Sequence, residues 1–233
     1  MHLTKHDIAG MIDLSAVRPD SDEAEVRALA GYAAEVGCVA VFAMPSFTAL
    51  ARELLSGFPQ IAVGGAVGFP SGAPTTATKV AEARELVRLG CTELDMVINV
   101  GMLRSDRLDY VGEDIRAVIE AGGGVPVKVI LECHYLSERQ ILAACDLCLE
   151  AGAAFVKTGT GWAPTGATLE NIRLIHSRVG GRLGIKAAGG VRDLETLIQM
   201  YRGGVRRFGI GLHTARSIFG QIAALPGGVV ELD

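Results

Sequence analysis

The sequence predicts an α/β protein, and three observations narrow this to a single-domain (β/α)8 TIM barrel over residues 1–233. Short, nearly continuously apolar runs alternate with amphipathic segments along the whole chain, as expected of parallel strands covered on both faces. Eight such strand–helix units in 233 residues give about 29 residues per unit. Lys128, Lys157 and Lys186 stand in three successive apolar runs, each 29 residues from the next, as a repeated unit would place them. No linker or low-complexity tract divides the chain.

Strands are expected near residues 11–14, 39–43, 61–67, 93–98, 127–131, 154–158, 183–187 and 206–209. Helical spacing marks 22–36, 47–55, 76–89, 108–121, 138–151, 169–178 and 194–202 between them. Ser137 followed by Gln140 reads as a capping box that starts one of these helices. Gly90, Gly152 and Gly203 each follow a helix, where a left-handed residue commonly ends the last turn. In a barrel, reactive groups collect at the C-terminal ends of the strands. Each of the three lysines is followed within a few residues by a loop signal: Glu132-Cys133-His134, Gly159-Thr160-Gly161 and Gly189-Gly190.

Composition bounds the function. The chain is 49% hydrophobic and 21% charged, enough for a sizeable core. It has no run of 18 apolar residues, so no membrane span is expected. A net charge of −4 argues against a nucleic-acid surface. The segment from Met1 to Asp7 lacks the apolar stretch of a secretory leader. With five scattered cysteines, this points to reduced thiols and a cytoplasmic protein. Cys145 and Cys148 form a CxxC spacing in mid-helix without a second pair and are read as buried thiols. The histidines show no metal-ligand spacing, and neither a metal nor a cofactor is expected.

The lysines carry the chemistry. A lysine is almost never fully buried without a partner, and at neutral pH it is protonated and not nucleophilic. One lysine at a strand end is usually a snorkelling surface group. Three in register, with Asp95 in the neighbouring strand, suggest a cluster that frees one amine to attack a carbonyl and form a Schiff base. Lys157 is the middle of the three, with a cation on either side. Asp95 shares a strand face with Val97 and Asn99 and needs a partner, for which Lys128 is the natural candidate.

At these residues the sequence resembles deoxyribose-phosphate aldolase. The resemblance is carried by residues 93–101 around Glu93-Leu94-Asp95, by Val127-Lys128-Val129-Ile130-Leu131-Glu132, by Phe155-Val156-Lys157-Thr158-Gly159-Thr160-Gly161, and by Ile185-Lys186-Ala187-Ala188-Gly189-Gly190-Val191-Arg192. Val67-Gly68-Phe69-Pro70-Ser71-Gly72 and Lys79 add to it, and it extends from about Asp13 to Gly209. It implies a metal-independent class I aldolase that reversibly cleaves 2-deoxyribose 5-phosphate to acetaldehyde and glyceraldehyde 3-phosphate, acting as a homo-oligomer, a dimer by family habit. Lys157 is then the Schiff-base lysine, Lys186 the cation that favours its neutral form, and Asp95 the acid–base group acting through water beside Lys128. Asp13 and Ser15 match a segment that contacts the substrate hydroxyls. Thr160 and Gly161 line the same pocket. Gly189, Gly190, Val191 and Arg192, with Gly209 and Gly211, form the phosphate end.

That phosphate end departs from the family pattern. Gly209-Ile210-Gly211-Leu212-His213 stands where a small residue and two serines are usual, and Trp162 where some members carry a lysine. Gly159 replaces a usual serine, and Phe42 and Met44 replace a usual cysteine and asparagine. Trp162 either packs on the loop Ala163-Pro164-Thr165-Gly166 or joins Leu212 in making the far pocket apolar. Three other readings stand beside the family one: the same Schiff-base chemistry on another acceptor aldehyde without phosphate, a barrel that only binds, and a pyridoxal-phosphate enzyme, which also needs a Schiff-base lysine.

Overall fold

The computed structural model describes residues 2–232. In its first half the elements are β1 (His2–Thr4), α1 (Lys5–Ala9), β2 (Ile12–Ala16), α2 (Glu23–Val36), β3 (Ala40–Ala43), α3 (Thr48–Leu54), β4 (Ala62–Val67), α4 (Thr76–Arg88), β5 (Glu93–Val97), α5 (Val100–Arg104) and α6 (Leu108–Ala121). The second half holds β6 (Val127–Ile130), α7 (Glu138–Ala151), β7 (Phe155–Lys157), α8 (Leu169–Val179), β8 (Gly184–Ala188), α9 (Leu194–Arg202), β9 (Arg207–Ile210), α10 (Leu212–Ala223) and β10 (Val229–Glu231). Strands β2 to β9 close in sequence order into a parallel barrel, with β2 paired to both β3 and β9. All eight expected strands are present. The ends of the expected unit, residues 1 and 233, lie outside the described residues.

The helices begin and end where local chemistry favours it. Asp22 caps α2 by accepting from the Glu25 N–H at 2.8 Å. Ser137 and Gln140 form the expected capping box on α7, and Gly152 ends that helix at φ 76°. Gly203 does not take the left-handed role expected of it. Its φ is −74°, and the turn falls one residue later at Gly204, φ 104°, where a Cβ would lie 2.5 Å from the His176 ring. α10 fills the place of the eighth helix, which the sequence pattern left unmarked. The three-residue strands β1 and β10 pair antiparallel, outside the barrel.

Alternation along the strands divides two interiors. In β5, Leu94 and Met96 join the apolar shell under the helices, while Asp95 between them faces into the barrel. That shell includes Leu14, Val129, Val156, Phe208, Ile115 and Ile175, all without exposure. Each such side chain contributes about 1.5–3 kcal/mol on burial. Stability therefore comes from this outer layer, because buried ion pairs are roughly neutral relative to well-packed apolar groups. The inner space is free to hold Lys128 and Lys186, both without exposure.

Candidate active site

At the C-terminal ends of the strands a cavity of about 640 Å³ opens, and Lys157 is the one lysine that lines it. Around it are Ser15 from β2, Thr160 and Gly161 after β7, Gly189 to Arg192 after β8, and Gly209 and Gly211 at the end of β9. All the expected binding residues but one therefore meet on one cavity. The exception is Asp13. It has no exposure and lies beneath the cavity, occupied with cations.

Asp95 is the hub of the charged cluster. Its Oδ2 accepts from Lys157 Nζ at 2.7 Å and from Lys186 Nζ at 2.6 Å, and its Oδ1 accepts from Lys128 Nζ at 3.2 Å. Burial works to raise the Asp95 carboxyl pKa, but Lys157, Lys186 and Lys128 outweigh it and hold the group well below the usual carboxylate range. Burial brings Lys186 down to about 8, although Asp13 and Asp95 oppose the change. Lys128 moves the other way. Burial would lower it, but Asp95, Asp13 and Glu93 together raise it. Lys186 Nζ also sits 2.6 Å from Asp13 Oδ2, in an ion-pair contact poorly aligned for a hydrogen bond. The Phe42 ring lies 4.1 Å from Lys186 Nζ and 4.7 Å from Lys128 Nζ, near enough for cation–π attraction. Phe42 is thus a support beside the lysines and no part of the cavity wall.

The register corrects one expectation. Lys157 pairs with Lys186 across β7–β8, but Lys128 pairs with Phe155, so Lys128 stands two residues deeper than Lys157. The stagger of a closed barrel displaces neighbouring strands along its axis. The result is that Asp95, and not a second cation, lies against Lys157 on the β6 side.

The rim is built by backbone packing. Gly189 has φ 73°, and a Cβ there would come within 3.0 Å of Gly161. A Cβ on Gly190 would be 2.5 Å from the Ala167 carbonyl oxygen. Glycine at these positions lets the loops after β7 and β8 lie backbone against backbone. Trp162 lines the cavity beside Ala163 and Pro164 of the loop that follows it. Its Nε1–H donates to the Val17 carbonyl at 2.9 Å, and its ring centroid lies 5.9 Å from that of Phe69 in an edge-to-face arrangement. Leu212 also lines the wall, beside His213 and Thr214 in the first turn of α10. No side chain caps that turn, which leaves backbone N–H groups available to an anion.

Sequence reasoning missed three supporting residues. Arg207 bridges Asp13 Oδ1 at 2.7 Å and Glu93 Oε2 at 2.6 Å, and Glu93 also accepts from Lys128 at 2.5 Å. Glu132, at φ 56°, accepts from the Thr160 N–H at 3.1 Å and from the Thr160 hydroxyl. That hydroxyl in turn accepts from the Trp162 N–H at 3.0 Å, so its own proton is committed to Glu132. Only the unusual sign of charge in an apolar strand start, at Glu93 and Arg207, could have signalled the first two. Cys145 and Cys148 are buried in α7 and unbridged, as the helix reading expected. Among the described residues, no three His, Cys, Asp or Glu side chains are grouped to hold a metal ion.

The arrangement joins an amine at a cavity wall to a buried carboxylate within hydrogen-bond reach, which suits carbonyl attack followed by proton transfer. Known proteins share this frame. The chain is 49% identical to a deoxyribose-phosphate aldolase of Rhizobium meliloti, over 99% of this chain and 93% of that one. It is 46% identical to a deoxyribose-phosphate aldolase of Klebsiella pneumoniae, over 100% and 94% of the two chains. Among solved structures, the aldolase QR15 superposes with a TM-score of 0.87 at 39% identity, covering 93% of this chain and 96% of that one. A tetrameric deoxyribose phosphate aldolase from Aeropyrum pernix gives 0.88 at 25% identity, covering 96% and 94%. The model of the DeoC/LacD family aldolases matches residues 10–221, and with Lys157 at the cavity and Asp95 and Lys186 buried beneath it, the chain belongs to that family.

Proposed function

We propose that this barrel cleaves 2-deoxyribose 5-phosphate reversibly to acetaldehyde and glyceraldehyde 3-phosphate through a Schiff base on Lys157. The observation that carries the assignment is that Lys157 alone among the clustered lysines reaches the cavity, while Lys128 and Lys186 have no exposure. The neutral Lys157 amine adds to the donor carbonyl, and loss of water leaves an iminium. The C3 hydroxyl gives up its proton, the C2–C3 bond breaks to release glyceraldehyde 3-phosphate, and the electron pair of that bond passes into the iminium to give an enamine. Protonation of the enamine and hydrolysis release acetaldehyde. Asp95, 2.7 Å from Lys157 Nζ, is placed to move these protons through water, and Lys128 holds its other oxygen.

The acceptor's phosphate is held by the N–H groups at the start of α10 and by the loop from Gly189 to Arg192. Trp162 and Leu212 supply an apolar flank. Ser15 is the hydroxyl nearest the substrate sugar in this reading, and Asp13 acts from below through Lys186. A homodimer in the cytoplasm is part of the proposal. The tetrameric relative supports a homo-oligomer in general, and five unbridged cysteines fit a reducing compartment.

Cyanoborohydride reduction with acetaldehyde, followed by peptide mass spectrometry, is expected to place one adduct on Lys157. An unmodified Lys157 defeats the reading. The departures at Trp162 and Leu212 favour a second reading, in which the acceptor need not be phosphorylated. A strong preference for the phosphorylated sugar, lost in Arg192→Ala, removes that second reading.

A further inference from the structure

Six of the charged side chains beneath the cavity form a closed ring of alternating sign. Arg207 touches Asp13 at 2.7 Å, and Asp13 touches Lys186 at 2.6 Å. Lys186 touches Asp95 at 2.6 Å, and Asp95 touches Lys128 at 3.2 Å. Lys128 touches Glu93 at 2.5 Å, and Glu93 returns to Arg207 at 2.6 Å. Three cations and three carboxylates leave the ring neutral. Arg207 and Lys186 each contact two of the carboxylates, and Lys128 contacts all three, since it also lies 3.8 Å from Asp13 across the ring. Lys157 is the seventh charge, attached from outside through Asp95, one of the two carboxylates that Lys128 and Lys186 share. The Phe42 ring against Lys186 and Lys128, and the Phe155 ring 5.8 Å from the Arg207 guanidinium, add no net charge.

We infer that Arg207 and Glu93, neither of which lines the cavity, are positioning residues whose opposite charges close the ring and leave Lys157 as the uncompensated cation that yields its proton for attack. The inference rests on the assignment of Lys157 as the nucleophile. Its physical content is an electrostatic balance at short range among largely buried side chains, where charges act more strongly than at the surface. Removing the Arg207 cation leaves an excess of carboxylate, and the lysines then hold their protons more tightly. Removing the Glu93 anion does the reverse. A purely structural role for either residue predicts loss of rate or stability but no such opposite pair of effects.

The test is the pH dependence of cyanoborohydride trapping of acetaldehyde by the full chain and its E93Q, R207M and R207K variants, each checked for folding by circular dichroism. The half-maximal pH of trapping is expected to rise by about one unit in R207M and to fall by about one unit in E93Q, the order expected for a single nearby charge. R207K keeps the charge and is expected to stay near the parent. Adducts on Lys157 in every protein with unmoved midpoints, or midpoints moved in one direction, overturn the inference and leave the nucleophile standing. No adduct in the parent overturns both. Should R207M fail to fold, E93Q decides alone. Should neither fold, the ring is a stability device and the inference falls.

Discussion

Asp114→Ala isolates a second buried charge pair, on the far side of Asp95's strand. Lys79 in α4 and Asp114 in α6 have no exposure and meet at 2.5 Å. Lys79 Nζ also donates to the Val97 carbonyl at 2.8 Å, and Asp114 Oδ1 accepts from the Thr76 hydroxyl at 2.9 Å. Deleting the carboxylate strands an ammonium where no water can reach it, and breaking a buried pair in this way costs about 3–5 kcal/mol. For a chain of this size, about 1 kcal/mol moves the melting temperature by about 2–4 °C, so a fall of roughly 6–20 °C is expected. The double variant Lys79→Met with Asp114→Leu removes both charges and is expected to recover most of the loss, because a buried pair adds little over packed apolar groups. Burial already lowers the Lys79 pKa, so losing Asp114 lowers it further. The stranded proton penalises the fold fully below the folded pKa and is relieved as pH rises above it, so the deficit shrinks from pH 6 to pH 9. Urea unfolding at the two pH values measures this. An Asp114→Ala protein within about 1 kcal/mol of the parent, or a double variant no more stable than the single, refutes the reasoning.

Glu132→Ala removes the acceptor for two buried Thr160 donors, each a charge-assisted bond contributing about 1.5–3 kcal/mol. The loop that lines the cavity is expected to loosen, raising KM more than it lowers kcat in steady-state cleavage assays, and unchanged kinetics count against this role. Asp13 and Asp95 both have folded-state pKa values below the ordinary 3.8, so the stability they contribute is fully present above pH 3.8 and is lost as pH falls through the lowered values. Urea midpoints are expected to drop steeply from pH 4 toward pH 2, and a flat profile there shows that these carboxylates contribute no such stability.

The barrel was legible because strands buried on both faces need apolar residues at nearly every position, which marks Val127 to Leu131 and Ile185 to Ala188 without ambiguity. The lysines stood out against that background for the same reason. What stayed hidden is what depends on distant parts of the chain meeting. Glu93 and Arg207 sit at strand starts beside loops, where a charge ordinarily faces solvent, and only barrel closure puts them together. Asp13 was placed correctly in its strand but one layer too shallow, since sequence alternation gives the face of a residue and not its depth. The short strands β1 and β10 carry too few residues for any periodicity, and α10 starts directly after Gly211 without a capping side chain.

The charged interior has a consequence for how the molecule assembles. Asp13, Glu93 and Asp95 all come from β2 and β5, in the first four barrel strands, whereas Lys128, Lys157, Lys186 and Arg207 come from β6 to β9, the last four. One half-barrel therefore has an anionic lining and the other a cationic one. Two copies of the same half would set like charges face to face in a dry interior, whereas unlike halves cancel. Asp13 and Arg207 are 194 positions apart, so this cancellation is completed only when the first and last barrel strands zip together. The reaction chemistry thus doubles as a recognition code, directing each half-barrel to an unlike half and away from a second copy of itself.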